Sequence, residues 1–160
     1  LDIFDLELDS IFSKAAKSHE IIMNGSIARS LYKYYENEKE KLHPFTVSRI
    51  EAGIPVSAKD YIEAIENAKL MEKSLKEVFK EYDAIITPAA PGQAPRDLMN
   101  TGNAIFNGYW TMMGIPAISL PLLKGKDKLP IGVQVITSWE NDLDLLKVSE
   151  FVLNKIKKAC

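Results

Sequence analysis

The sequence predicts an α/β fold, with a sheet covered by helices on both faces, and three observations carry that prediction. Apolar residues recur at spacings of three and four across long stretches, the period of a helix with one apolar stripe. Three short runs, "DAIIT", "AISLP" and "IGVQVIT", are apolar at successive positions, as in strands buried on both sides. Helical and strand patterns then alternate along the chain, the order that layers helices on a sheet.

Taken in order, "LDIFDLEL" sets Ile3, Phe4, Leu6 and Leu8 among acids and predicts a strand or an extended lead-in segment. From Ser10, the residues Phe12, Ala16, His19, Met23, Ile27, Leu31 and Tyr34 mark a helical stripe that runs to about Leu42. It stops there because His43 precedes Pro44 and is pushed out of helical geometry. Asn24-Gly25 within it is a turn signal that could break it. "PFTVSRIEAG" makes one or two helical turns closed by Gly53. Ser57 with Asp60 approximates a capping box, and Tyr61, Ile65, Ala68, Met71, Leu75, Val78 and Tyr82 define the next helical face. "DAIIT" is a strand ended by Pro88, which cannot donate to a ladder. "NAIFNGYWTMM" is a helix closed by Gly114. "AISLP" and "IGVQVIT" are strands joined by "LLKGKDKLP", as a hairpin or a crossover. Asn141 then caps a final helix with Leu145, Val148, Val152 and Ile156 on one face.

Composition narrows the function. The chain has 160 residues, room for one domain with a sizeable core. Its 20 basic and 22 acidic side chains gather into no block of one sign, which argues against direct nucleic-acid binding. Apolar runs such as "GIPAISLPLL" are interrupted by proline and fall short of the ~20 residues a spanning helix requires, so no membrane partner is expected. A single cysteine, Cys160, excludes an internal disulfide framework and thiolate metal clusters and fits a reducing, cytoplasmic compartment. Leu1 in place of Met, with no signal-peptide pattern, is expected for a processed chain or a piece of a longer one.

Few residues suggest chemistry. "SLYK", Ser30 to Lys33, has the spacing at which a lysine could deprotonate a serine, but this composition yields about one such pair by chance, and the companion motifs are lacking. His19 and His43 lack partners at metal-ligand spacing, so no metal is expected. His19 reads as a half-buried histidine on the apolar stripe. No glycine-rich phosphate cradle and no paired-carboxylate site is present. The loop after Thr87 says more: Pro88, Pro91 and Pro95 hold backbone angles, while Ala89, Ala90 and Ala94 offer small apolar surface. A rigid pocket wall or a ligand-free connection would both look like this. Asn107 and Thr111 lie one helical turn apart among Phe106, Tyr109 and Trp110 and could face one site together. Gln134 is the misfit of its strand and must either brace a loop or line a site.

The order of "HEIIMNGSIARSL", "YDAIITPAAPGQAP", "TGNAIFNGYWTMMGIPAISLP", "LPIGVQVI" and a helix after "END" resembles the C-terminal third of the amidase signature family. The resemblance runs from about Leu1 to Leu153. It implies the C-terminal part of that family's mixed sheet, helices on both faces, with 1–160 a single domain or a fragment of one. It implies an enzyme that hydrolyses small-molecule amide C–N bonds without a cofactor. In such enzymes a lysine and a bridging serine in cis-peptide linkage deprotonate a nucleophilic serine, backbone N–H groups hold the oxyanion, and water hydrolyses the acyl-enzyme. None of that machinery matches a residue here, so no catalytic residue is assigned and the chain alone is expected to be inactive. What remains is the substrate wall: Pro88, Ala89, Ala90, Asn107, Trp110 and Thr111. The partners implied are a small amide and the N-terminal portion of the same enzyme. Severed sheet edges would also favour self-association into a homo-oligomer. Ser26 stands where many relatives carry glutamate. "FNGYWTMMGIPA" is worded more like general amidases than like the glutamyl-tRNA amidotransferase member of the family, which is the alternative together with a non-catalytic scaffold or binding module of the same fold.

Overall fold

Residues Ser10 to Lys41 form one helical run in the computed structural model, which describes residues 2–97 and 100–159. Leu1 and Cys160, on which the expectations about processing and the lone thiol rest, lie outside the described residues. The run opens as a 3₁₀ turn, Ser10–Lys14, because the Asp9 carboxylate accepts the Ile11 N–H at 2.9 Å. It continues as α1, Ala15–Glu38, and closes in a second 3₁₀ turn, Lys39–Lys41. Ahead of it, residues 2–9 form no strand, and Ile3 and Phe4 stand exposed.

Asn24-Gly25 leaves α1 unbroken, for a tertiary reason. A Cβ on Gly25 would sit 3.0 Å from the Tyr61 ring, so the glycine makes room for that ring. Beside it the Ser26 hydroxyl hydrogen-bonds the Tyr61 hydroxyl at 3.0 Å. Ser26 thus makes its polar contact within this chain, despite the glutamate expected at that position.

Helix α2, Pro44–Gly53, begins with Pro44 in its first turn, and His43 Nδ1 accepts the Phe45 N–H at 3.2 Å. His43 therefore works as a cap. Gly53 ends the helix as expected but not by a left-handed cap, since Ile54 follows at φ −56° in right-handed geometry. Its role is proximity: a Cβ there would lie 2.0 Å from the Asn24 carbonyl oxygen and 2.7 Å from Ala28 Cβ. Backbone meets backbone where α2 crosses α1. A surface cluster ties the same pair together, with Lys39 Nζ and the Tyr35 hydroxyl both donating to Glu51 Oε1 at 2.6 and 3.0 Å.

Helix α3, Ala58–Val78, starts at the predicted box, with the Ser57 hydroxyl accepting the Asp60 N–H at 3.1 Å and donating to the Asp60 carboxylate at 2.7 Å. Ala64, Ala68, Met71 and Leu75 are buried along it, the last two completely. The described chain groups into two compact units, Leu1–Glu72 and Lys73–Cys160, with the boundary inside α3.

The second unit holds the sheet. Strands β1 (Ile85–Pro88), β2 (Ala117–Lys124) and β3 (Pro130–Ile136) stand in the order β1-β3-β2, and both pairings are antiparallel. "LLKGKDKLP" is therefore a hairpin. Between Leu120 and Leu123 the register shifts, at Pro121, which has no N–H to give the ladder. One face carries Ile118, Leu120 and Val135 against Leu145, Val148, Val152 and Ile156 of α5, Asp142–Ala159. On the opposite face Ile85, Gln134 and Ile136 are also buried, so both sides of the sheet are covered. Asn141, the predicted cap, precedes α5: its carbonyl accepts the Leu145 N–H at 3.0 Å, and its side-chain Nδ2 donates to the Ser138 hydroxyl at 3.4 Å.

Helix α4, Ile105–Met112, ends in a Schellman motif. Gly114 at φ +64° supplies the left-handed residue, while its N–H bonds the Thr111 carbonyl and the Ile115 N–H bonds that of Trp110. Only glycine takes that angle at no steric cost.

Candidate functional site

The loop that follows β1 is anchored at its base by backbone and by one side chain. Ala89 N–H bonds the Gly132 carbonyl at 2.9 Å, extending the β1–β3 ladder by one residue. Gln134, only 2% exposed, donates from Nε2 to the Pro88 carbonyl at 3.0 Å. Of the two roles open to Gln134, the brace is the one built. Cross-strand pairing sets Gln134 between Thr87 and Ser119, so the polar side chains of the sheet share one row on one face.

Further along, Pro88, Pro91, Gly92, Ala94 and Pro95 are exposed, Ala89 is buried and Ala90 is half-buried. The loop thus buries Ala89 and part of Ala90 and leaves its prolines at the surface. Gln93 and Arg96 reach across to Asp127 in the β2–β3 turn. Arg96 is accordingly a surface residue held in an ion pair, and its guanidinium and the Gln93 amide keep the Asp127 carboxyl below the usual carboxylate range. The returning chain passes close by, for a Cβ on Gly102 would lie 3.5 Å from Pro95 Cδ.

On α4 the expected trio divides. Asn107 and Thr111 share the exposed face, available to a ligand, whereas Trp110 turns inward and is 6% exposed. The Trp110 indole N–H is buried without a hydrogen-bond partner, a group that costs about 1–3 kcal/mol unless something accepts it. Asn103 prepares this helix, its Oδ1 accepting the Ile105 N–H at 2.9 Å.

Two residues were missed from the sequence. Asp127 sits in "KGKDK", where an acid among lysines reads as a solvated turn. Trp139 donates from Nε1 to the Met113 carbonyl at 2.8 Å, meets Phe79 edge-on at 6.4 Å and lies under Lys76 at 5.4 Å, joining the end of α4 to the chain that enters α5. A lone indole in the polar stretch "TSWEND" was the available signal.

Elsewhere the chemistry is sparse. Ser30 and Lys33 are both exposed on α1, a solvated helix face. Among the described residues no group of three or more His, Cys, Asp or Glu side chains is placed to hold a metal ion. No helix among them is long and apolar enough to cross a membrane. In the first unit a groove of about 290 Å³ between α1 and α3 is lined by Lys14, Lys17, Asp60 and Glu63 around the Asn67–Ser18 hydrogen bond.

His19 is half-buried, and burial first, then the charge of Arg49, lower its pKa, against a smaller upward pull from Glu20. Its ordinary value is about 6.5. Because the folded value is the lower one, the unfolded chain binds the extra proton, and stability falls as pH drops below about 6.5 through the lowered folded value. Melting temperatures measured from pH 7.5 down to 5 should decline over that interval, and His19→Gln should flatten the decline. An equal slope in the variant would assign the effect to other groups.

Comparison with known proteins agrees with the motif order. A family model described as Amidase matches residues 4–146. Among curated proteins, the A subunit of glutamyl-tRNA(Gln) amidotransferase from Saccharolobus solfataricus is 31% identical over a stretch covering 61% of this chain and 22% of that protein. Its counterpart from Brachyspira hyodysenteriae is 28% identical over 72% of this chain and 27% of its own length. A solved structure described as that of an amidase superposes with a TM-score of 0.83 at 20% identity, over 93% of this chain and 37% of that one. 6-Aminohexanoate cyclic dimer hydrolase gives 0.68 at 18% identity, over 89% and 35%. At these identities the structural likeness establishes the fold. The chain spans about a quarter of the curated relatives it matches and about a third of these solved structures.

Proposed function

The chain belongs to the amidase family, and from that premise we propose that it forms the C-terminal portion of an amidase-signature enzyme hydrolysing small-molecule amide C–N bonds. In this role Ala89 and Ala90 make the floor and Pro88 the rim of a substrate wall. Asn107 and Thr111 offer polar groups from α4, and Trp110 backs them. The nucleophile, bridging serine and lysine belong to the part of the family's length that this chain does not match, and that part is its natural partner.

One observation carries this reading: a family match over residues 4–146 coincides with a braced, small-residue loop and, among the described residues, with no serine set up by a base. Among the described residues, the serine hydroxyls that meet an acid stand at helix starts: Ser57 caps α3 with Asp60, and Ser10 donates at 3.5 Å to Asp9, itself the cap of its turn. To test it, the 160-residue chain is incubated with aliphatic and aromatic amides and with a serine-directed fluorophosphonate. Neither turnover nor labelling is expected. Stoichiometric labelling of any serine would place a working nucleophile inside this chain and overturn the assignment.

A second reading, the amide-handling component of a glutamyl-tRNA amidotransferase, is favoured by the names of the curated relatives. The wording of "FNGYWTMMGIPA" favours the small-molecule enzyme instead. Affinity purification from the native cell separates them: partner subunits retained at fixed stoichiometry support the amidotransferase, and a single polypeptide species supports the amidase.

A further inference from the structure

We propose that Asp127, in the β2–β3 turn, is a positioning residue that latches the Pro88–Asp97 loop in one conformation and so fixes the substrate wall. The link to substrate rests on the function proposed above; the latch itself rests on geometry.

Among the described residues, the loop has little backbone support of its own. Two backbone hydrogen bonds bracket it, Ala89 N–H to the Gly132 carbonyl and Asn100 N–H to the Asp97 carbonyl, and Pro91 and Pro95 have no N–H to contribute. Prolines limit the angles the chain can take but do not choose where it lies. Asp127 supplies that choice. Its Oδ2 accepts from Gln93 Nε2 and from Arg96 Nε at 3.3 Å, and its Oδ1 accepts from Arg96 Nη2. In return the Asp127 backbone N–H donates to Gln93 Oε1 at 3.2 Å.

An isolated exposed ion pair contributes little, but a bidentate guanidinium–carboxylate fork within a network is the arrangement in which such pairs matter. The turn presenting it is set by its own hydrogen bonds, Lys128 N–H to the Gly125 carbonyl at 3.0 Å and Gly125 N–H to the Leu129 carbonyl at 2.9 Å. Lys128 at φ +62° completes the reversal. The latch is therefore carried by the stiff end of a hairpin whose other strand residue, Gln134, braces the base of the same loop. Two points of one hairpin grip both ends of one loop. The lowered pKa of Asp127, caused first by Arg96 and then by Gln93, agrees with a carboxylate held as the charged partner.

Asp127→Asn keeps the shape and removes the charge. In the 160-residue chain, hydrogen exchange at the amides of Asn100 and residue 127, which donate to the Asp97 carbonyl and to Gln93 Oε1, is expected to speed up about tenfold, with Asp127→Glu restoring part of the protection and the sheet amides unchanged. In the enzyme that contains this chain, Asp127→Asn is expected to raise KM for a small amide about tenfold while kcat stays within about twofold. Unchanged loop exchange in Asp127→Asn would overturn the latch. Faster exchange with an unchanged KM would overturn its role in positioning the wall. Failure of the wild-type enzyme to cleave any amide would sink the proposed function, and loop exchange would still decide the latch.

Discussion

Gly53→Ala is expected to destabilise the helical unit by about 3 kcal/mol or more, near the upper end of what overpacking costs. The added methyl would have to occupy a point 2.0 Å from the Asn24 carbonyl oxygen and 2.6 Å from its carbonyl carbon. Those are backbone atoms in the middle of α1, so no rotamer change relieves the clash. Either α2 withdraws from α1 or its last turn unwinds, and the second route exposes Ile50, which is completely buried. The melting temperature followed by circular dichroism should fall by about 10 °C for a chain of this size. Gly92→Ala is the control, since a Cβ there meets nothing within 4 Å. A loss below about 1 kcal/mol at Gly53 would mean that the two helices are not in backbone contact.

Gly53 also marks where the sequence stops being informative. A glycine at the end of an apolar-periodic run reads as a helix stop, because that signal is local. Whether it admits a neighbouring backbone depends on Asn24 and Ala28, which pair with it only after α1 and α2 fold together. Gly114 was legible for the opposite reason, since its left-handed φ closes a motif written entirely in the residues around it. Ser57 and Asp60 were likewise local and were readable. Alternation at Ile3 to Leu8 misled toward a strand because a strand also needs a partner edge, and residues 2–9 are given none.

The candidate site divides along the same line. Its stiffness was visible in Pro88, Pro91 and Pro95, and its brace was half visible, since an amide in an apolar strand must find partners. Which partner it finds was not visible. Pro88 is far from Gln134 in sequence and meets it only through the antiparallel register of β1 and β3. Asp127 was hidden altogether, because the residues it holds lie across a loop, a helix and a strand from it in sequence. Local chemistry is written in neighbouring letters, whereas a contact between elements is fixed by register and crossing geometry.

Gln134→Ala is expected to cost the second unit about 3 kcal/mol, by two separable routes. The first is packing: the side chain lies at the centre of the middle strand, and truncating it leaves a cavity between Thr87 and Ser119. The second is polar: the Pro88 carbonyl loses the Nε2–H that reaches it at 3.0 Å. Gln134→Met nearly preserves length and volume and removes only the donor, so it should cost about 1–2 kcal/mol, the price of a hydrogen bond to a partly buried carbonyl. The difference between the variants in chemical denaturation then measures packing alone. Equal losses would show that the polar brace dominates, and a loss below about 0.5 kcal/mol in Gln134→Met would refute the brace. Both variants should also speed hydrogen exchange at Ala89, whose N–H bonds the Gly132 carbonyl, because Pro88 is the hinge between the ladder and the loop. That loosening acts at the base of the loop, and the Asp127 substitution acts at its far end. Combining Gln134→Met with Asp127→Asn should therefore free the loop by more than either change alone, since each grip limits the motion that the other's loss permits.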